Sequence, residues 1–313
     1  GAFYDRARAA ALWLYEMVDP TSGDAPNIGA NDGARLLGLT SGPYRDFRPT
    51  VQLASALFLQ RRAYDDERAD EPLLWLGVQP GSDVMPGRAS TLFEDGGWVT
   101  MDASDERSWA CIKYPAYRFR PSHADALHVD LWRDGVNVLR DGGTYGYAAE
   151  EPWATYFPGT ASHNTMQFDG RDQMPRIGRF LFGGWLEGET SGLRVAGTLA
   201  SWSGSYVDGL GSRHERAIET DDGVWVVTDT IGGEHRAVLR WRLAPGEYAL
   251  SGRRCTGESL VLNVDGEGVS GIELVQGWES RLYHVRTPLP VLEVTLEPSC
   301  TVTTRISFNE SSH

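Results

Sequence analysis

The pattern of hydrophobic and polar positions changes near residue 80. Before that point, residues 3–18 are rich in Ala, Leu and Trp without strand-like alternation, which predicts a first helix. Pro49 is expected to open a second helix, because proline suits the first helical position. The apolar face of that helix comprises Val51, Leu53, Ala54, Leu57 and Phe58. A third short helix is expected from Glu71 to Leu76, ending at Gly77.

A long polar loop, residues 20–49, separates the first two helices. Loops of this length without structure of their own are uncommon inside compact domains, and they often bind something or pack against another element. The loop is therefore a candidate for a binding or packing role.

From about Ser90 the hydrophobic period becomes two, which is typical of half-buried strands. Asp-Gly, Gly-Gly and Pro-Gly pairs break the strands, as expected for tight turns. The strand-like segments include 90–103, 107–114, 125–141, 224–230 and 237–244. We predict a mainly β protein, with a helical segment over residues 1–80 and a large antiparallel β-sandwich over residues 81–313.

Composition narrows the possible functions. The chain has 313 residues and a net charge of −14, which disfavours nucleic-acid binding. No apolar run is long enough to span a membrane. The 11 Trp and 12 Tyr suit sugar rings, although core packing is the commoner explanation for any single Trp. Three widely spaced cysteines indicate free thiols rather than a disulfide framework. The first residues show no signal-peptide pattern, so they do not indicate a cellular compartment.

The chemistry-bearing side chains concentrate in residues 120–170, which hold three of the seven histidines. Two imidazoles and one carboxylate from neighbouring strand ends are a donor set that zinc takes. Asp125 or Asn164 is expected to orient an imidazole. If Asp134 and Gly135 form a two-residue hairpin turn, Asp141 faces His128 rather than His123, unless the chain bends sharply. Ordinary hydrogen-bonded histidines are the alternative.

The order of four motifs in this window resembles the β-domain of the heparinase II/III-like family. The motifs are H-A-D-A-L, a D-G hairpin, L-R-D-G-G-T-Y and A-S-H-N-T, and the similarity covers residues 85–185. The loop 26–33 also resembles a segment of that family's helical (α/α) toroid. The resemblance implies that the helices are the last part of a toroid, and that His123, Asp141 and His163 bind a structural metal, expected to be zinc. It also implies a periplasmic or secreted protein.

The same resemblance implies a polysaccharide lyase, which cleaves a uronic-acid-containing glycan by β-elimination. Tyr147 and Tyr156 are the candidate catalytic residues, because a tyrosine commonly protonates the leaving oxygen. The candidate substrate-binding residues are Asn31, Asp32, Arg35, Arg118, Arg120 and Arg176. Packing and surface salt bridges are the alternatives for these side chains. The family usually carries another histidine where this sequence has Pro121, which cannot transfer a proton.

Three functions follow from these observations. The first is a lyase that needs an N-terminal toroid, supplied by a separate chain or segment. The second is a non-catalytic module for glycan binding or exopolysaccharide assembly. The third is a glycan hydrolase that uses carboxylates such as Asp32 and Asp125, with a structural metal. An unsaturated product indicates the lyase. Binding without cleavage indicates the module, and new reducing ends without an unsaturated product indicate the hydrolase.

Overall fold

The computed structural model describes residues 1–309. Four α-helices occur among them: α1 (Ala2–Met17), α2 (Arg48–Ala54), α3 (Glu71–Leu76) and α4 (Trp153–Tyr156). A π-helical turn, Ser55–Leu59, extends α2, and 3₁₀ turns cover Glu67–Asp70 and Thr160–Ser162. The three predicted helices are confirmed, since Pro49 lies in the first turn of α2 and Gly77 ends α3 at φ 65°. None of these helices combines the length and apolar character that a membrane crossing requires.

Strands occupy most of the remaining chain. The first ten are β1 (Arg61–Arg62), β2 (Asp83–Val84), β3 (Thr91–Phe93), β4 (Trp98–Asp102), β5 (Ser108–Lys113), β6 (Val129–Arg133), β7 (Val136–Leu139), β8 (Met166–Phe168), β9 (Arg176–Gly178) and β10 (Leu181–Phe182). The others are β11 (Gly188–Ala196), β12 (Leu199–Val207), β13 (Arg213–Asp221), β14 (Val224–Gly232), β15 (Ala237–Arg242), β16 (Ala249–Ser251), β17 (Arg254–Thr256), β18 (Leu260–Asp265), β19 (Val269–Leu282), β20 (Val285–Leu296) and β21 (Thr301–Phe308).

These strands build a two-layer sandwich. One layer is an eight-stranded sheet in the order β11-β12-β13-β14-β21-β18-β17-β16. The other combines the five-stranded sheet β3–β7 with the four-stranded sheet β19-β20-β15-β8, and a bridge between Leu139 and Leu243 joins the two. The strand pairs of all three sheets are antiparallel, so the predicted antiparallel β-sandwich is confirmed.

Side chains from both layers form one core. Trp225 of β14 donates a hydrogen bond to Ser108 of β5, and Trp241 of β15 donates one to Thr304 of β21. Their indole rings therefore fill the space between the layers while each indole N–H finds an acceptor. Burial alternates along β13 and β14, as period-two patterning predicts.

The helical segment covers the outer face of the five-stranded sheet. Met17 at the end of α1 packs on Trp109 and Trp132, whose rings stack 5.3 Å apart. The Trp109 indole donates a hydrogen bond to Asp19. Because β5 is covered on both faces, all six of its residues are buried and burial does not alternate along it.

Candidate functional site

The structure brings His123, Asp141 and His163 together beneath the surface. Their candidate ligand atoms all lie within 4.8 Å of one another, and all three residues are buried. Asp141 Oδ2 is 2.8 Å from His163 Nδ1. These are the three residues that the sequence motifs predict as metal ligands.

Local turns explain how residues so far apart in sequence meet. Asp134 and Gly135 do form the turn between β6 and β7, with φ angles of 49° and 80°. Asp141 therefore follows β7 close to His128. The chain bends at Leu127, which adopts φ 58°, and the His128 N–H donates to the Asp125 carbonyl. This bend lets His123 reach the cluster as well.

His128 lies beside Asp141, but the position of the proton on its ring distinguishes it from a ligand. Its Nδ1 accepts a hydrogen bond from the Asn164 backbone N–H at 2.9 Å, so a neutral ring carries its proton on Nε2. That nitrogen lies 3.5 Å from Asp141 Oδ2 and 3.4 Å from Asp130 Oδ2. This nitrogen forms no hydrogen bond within residues 1–309, but it faces Asp141 as a neighbour that can orient the carboxylate.

The two proposed imidazole ligands differ in their pKa shifts. Burial would lower the pKa of His163, but Asp141 raises it above its ordinary value, so a metal that binds His163 competes with a proton there. Burial lowers the pKa of His123 to about 4, which leaves a neutral imidazole with a free lone pair at neutral pH. Burial alone would raise the pKa of Asp141, but His163, His128 and His123 hold it below its ordinary value. His123 Nδ1 is buried without a hydrogen-bond partner among residues 1–309. Two imidazoles and an ionised carboxylate are a donor set suited to zinc.

A second polar network supports the backbone of the cluster. Arg216 of β13 is fully buried and pairs with Asp229 of β14 at 2.7 Å. The same guanidinium donates to the carbonyls of Leu127 and Asn164, at 2.6 and 2.7 Å. Arg216 therefore ties the eight-stranded sheet to the two segments that flank the cluster. No motif in the sequence pointed to this contact.

A narrow cleft of about 30 Å³ opens beside the cluster, and His123 forms part of its wall. Ala30 contributes from the loop of the helical segment, while Thr144, Gly146 and Tyr147 contribute from the loop after Asp141. The cleft therefore lies between the helical segment and the sandwich. Its other lining residues are Ser122, Ala154, Pro158, Arg176, Arg179 and Phe180.

The predicted glycan-binding residues divide into two groups. Arg176 lines the cleft, and the backbone N–H of Asn31 donates to Thr144 in the cleft wall. Asp32 is exposed and raises the pKa of Tyr147 through its charge. Arg35 instead bonds to Thr40 and Gly42 within its own loop. Two further arginines are exposed outside the cleft lining: Arg118, which pairs with Asp95, and Arg120, which packs on Phe119.

The two candidate tyrosines have different surroundings. Tyr147 lines the cleft, and burial raises the pKa of its phenol, with smaller contributions from Asp32 and Tyr283. The Tyr156 hydroxyl instead accepts hydrogen bonds from Arg242 and from the Trp278 backbone N–H, at 3.0 and 3.1 Å. Tyr147 is therefore the better placed of the two to meet a ligand in the cleft.

The position of Pro121 bears on the chemistry of the cleft. Pro121 is buried, and its carbonyl accepts a hydrogen bond from the Phe182 N–H at 3.3 Å. The next residue, Ser122, lines the cleft. No imidazole stands at the place where the motif resemblance leads one to expect a cleft histidine.

The family model of the heparinase II/III-like C-terminal domain matches residues 85–307. The chain belongs to this family, and the resemblance of its motifs is confirmed. No curated protein matches the chain significantly.

Solved structures show the same fold at low sequence identity. A heparinase III structure has a TM-score of 0.72 at 14% identity, covering 99% of this chain and 49% of its own. Another heparinase III structure has a TM-score of 0.72 at 17% identity, and the match covers 96% of this chain and 46% of that structure. The heparan sulfate lyase HepC from Pedobacter heparinus has a TM-score of 0.70 at 14% identity, and the match covers 96% of this chain and 46% of HepC. This chain therefore spans a little less than half the length of these neighbours.

Proposed function

We propose that the chain is the C-terminal part of a polysaccharide lyase that cleaves a uronic-acid-containing glycan by β-elimination. An N-terminal helical toroid, carried by another segment or chain, supplies the rest of the active site. The observation that carries the proposal is the cleft over the His123, Asp141 and His163 cluster, lined by Tyr147, Arg176 and other polar residues. Family membership and the names of the similar structures, heparinases and a heparan sulfate lyase, support it.

The chemistry of β-elimination suits the cleft residues. The C5 proton of a uronate is only weakly acidic, so the sugar carboxylate must be neutralised before an enolate-like intermediate can form. Arg176 and Arg179 offer guanidinium groups for that purpose. Tyr147 carries its proton at neutral pH, as a phenol ordinarily does, and its raised pKa favours the protonated form further. It can donate that proton to the leaving C4 oxygen.

We propose zinc as the metal of the buried cluster, held by His123, Asp141 and His163. Bound there, the metal holds the loop after Asp141, which carries Tyr147, to the segments that carry the two histidines. Its role in this proposal is structural. The residues of the chain bind the glycan and donate the proton.

Pro121 favours a second candidate function, a non-catalytic glycan-binding module of exopolysaccharide metabolism. Because proline cannot take a proton, the base must come from elsewhere, and we assign it to the toroid. Without a toroid, the chain has a cleft for a glycan but no base from that position. The two functions differ in whether bound glycan is cleaved.

The test is incubation with uronate polysaccharides, with and without the helical half, while the ultraviolet absorbance of unsaturated product is followed. We expect product when both halves are present, and at least a hundredfold lower kcat for Tyr147→Phe. Tyr248→Phe is the matched control, because Tyr248 lies outside the cleft lining. Binding without absorbance supports the module, and new reducing ends without absorbance support hydrolysis. Either result overturns the lyase.

A further inference from the structure

His284 and Arg286 form a patch at the tip of the β19–β20 hairpin, next to the cleft. Leu282 pairs with Val285, so Tyr283 and His284 form the turn, and His284 adopts φ 61°. The His284 N–H donates to the Tyr145 carbonyl at 2.7 Å. This bond holds the hairpin tip against the loop that carries Tyr147.

Arg286, two residues after His284, is held by aromatic rings. Its guanidinium carbon lies 4.0 Å from the centroid of Trp153, 5.1 Å from Tyr145 and 5.6 Å from Trp278. Trp153 and Trp278 meet edge to face, with centroids 5.4 Å apart. Three rings therefore restrict the orientation of one exposed guanidinium.

This guanidinium has no ion-pair partner and no hydrogen-bond acceptor within residues 1–309. Three other arginines near the hairpin do have acidic partners. Arg140 pairs with Glu279, and both Arg45 and Arg281 pair with Asp24. In a chain with a net charge of −14, an arginine fixed by aromatic rings and left without a carboxylate is an unusual arrangement.

His284 adds a second group beside Arg286. Its exposed ring packs on Tyr145 at 5.4 Å and on Tyr283 at 4.6 Å. It also covers Gly146, where a Cβ atom would come within 2.8 Å of the imidazole. Neither ring nitrogen has a hydrogen-bond partner in the part of the chain that the structure describes. Both side chains contact the Tyr145 ring, and they are two residues apart in the chain.

We propose that Arg286 and His284 form a subsite for an acidic group of the glycan, a carboxylate or a sulfate ester. The patch is continuous with the cleft, because Tyr145 contacts both side chains while Gly146 and Tyr147 line the cleft. A glycan that occupies the cleft can thus place a further sugar unit on the hairpin tip. The proposal rests on the glycan-binding part of the proposed function.

The chemistry of the patch explains why it suits an anion. A guanidinium that stacks by its face keeps its N–H groups in the plane, where they can bind a planar carboxylate or sulfate oxygens in pairs. Because the rings already restrict Arg286, binding costs little side-chain entropy. Trp153 and Trp278 also offer apolar surface to the ring of the same sugar.

The test measures, by calorimetry, the affinity of the whole chain for three hexasaccharides. The first contains uronate and no sulfate, the second is its carboxyl-reduced derivative, and the third is sulfated. We expect Arg286→Gln to weaken binding of the preferred acidic ligand at least tenfold, with a smaller loss for Arg286→Lys, which keeps the charge without the planar stack. His284→Gln should weaken it about threefold, and it remains informative if Arg286→Gln fails to fold. Arg194→Gln is the matched control, because Arg194 is exposed on edge strand β11 and has no ion-pair partner within residues 1–309.

The ligands identify the acidic group. If carboxyl reduction removes the Arg286-dependent part of binding, the subsite takes a uronate carboxylate; if only the sulfated ligand shows that dependence, it takes a sulfate. Equal binding of wild type, Arg286→Gln and His284→Gln to every ligand overturns the subsite, as does absence of binding. Arg286-dependent binding that gives no unsaturated product even with the helical half present overturns only the lyase, so the two proposals fail separately.

Discussion

At the scale of single residues, one backbone contact separates His128 from its neighbours. The Asn164 N–H donates to Nδ1 of His128, and this fixes the proton on the nitrogen that faces Asp141. His123 has no such contact, and its buried Nδ1 has no partner in residues 1–309. The same residue type is therefore a candidate ligand at one position and, with its Nδ1 already occupied, an orienting neighbour of Asp141 at the other.

This difference predicts how zinc binding responds to substitution. His123→Gln, Asp141→Asn and His163→Gln should each reduce bound zinc from about one per chain to near zero after dialysis, because each removes a ligand. His128→Gln should keep the stoichiometry and weaken affinity about 10–100-fold, because it removes only an orienting contact. Elemental analysis and chelator competition measure the two quantities. Zinc retained in His123→Gln and lost in His128→Gln would reverse the assignment.

At the scale of elements, Arg216 on β13 connects the two layers of the sandwich. The guanidinium pairs with Asp229 on the next strand and donates to two carbonyls beside the metal cluster. His214 donates to the same carboxylate at 2.7 Å. An ion pair of this kind is costly to break, because removing one partner leaves the other charge buried and unpaired.

We expect Arg216→Met to lower the free energy of unfolding by about 3–5 kcal/mol. The double variant Arg216→Met/Asp229→Leu should recover a large part of that loss, since neither charge is left alone. Arg213→Gln is the control, because Arg213 is half exposed and pairs with Glu215 at the surface, where an ion pair contributes at most about 1 kcal/mol. Urea denaturation measures all three. A loss below about 1 kcal/mol for Arg216→Met contradicts the argument.

At the scale of the whole molecule, the β19–β20 hairpin joins the helical segment to the sandwich. Asp24 in the helical loop binds Arg281 from the hairpin and Arg45 from its own loop. The Asn27 side chain donates to the Ser280 carbonyl at 2.7 Å. These contacts hold the loop with Ala30 in place as one wall of the cleft.

Asp24→Asn should loosen this attachment, because the substitution leaves two arginines without their carboxylate. We expect faster hydrogen exchange across residues 20–47 and in the hairpin tip, with protection of β13, β14 and β21 unchanged. Asp46→Asn is the control, since Asp46 pairs with Arg48 inside the helical segment. Mass-spectrometric exchange measures the difference. Equal exchange in both variants means that the apolar contact around Met17 alone holds the segment.

Much of the fold could be predicted because its signals are local. Pro49 and Gly77 set helix ends through their own backbone preferences, and Asp134-Gly135 set a hairpin in the same way. The strand-like pattern of residues 224–230 indicated β14, because a strand of a sandwich has one inner and one outer face. Residue identities at motif spacing indicated the family and its expected ligands before any distance was known.

Contacts between distant segments were beyond local signals. Arg216 lies 89 residues from Leu127, with which it bonds, and nothing in the sequence around either residue records that contact. No motif marks His284 or Arg286, whose surroundings come from residues 145 and 153. Tyr147 and Tyr156 were equal candidates in sequence, and their hydrogen bonds separate them.

The sequence by itself determined the mainly β architecture, the three N-terminal helices and the family, because these depend on periodicity, turn chemistry and motif order along the chain. Tertiary structure decided which histidine meets Asp141 as a candidate ligand, which tyrosine reaches the cleft and which arginine is held by aromatic rings. Each of those outcomes depends on a backbone bend or on a side chain contributed by another strand. The bend at Leu127 is the clearest case, because it brings both His123 and His128 to Asp141 and leaves their hydrogen bonds to distinguish them.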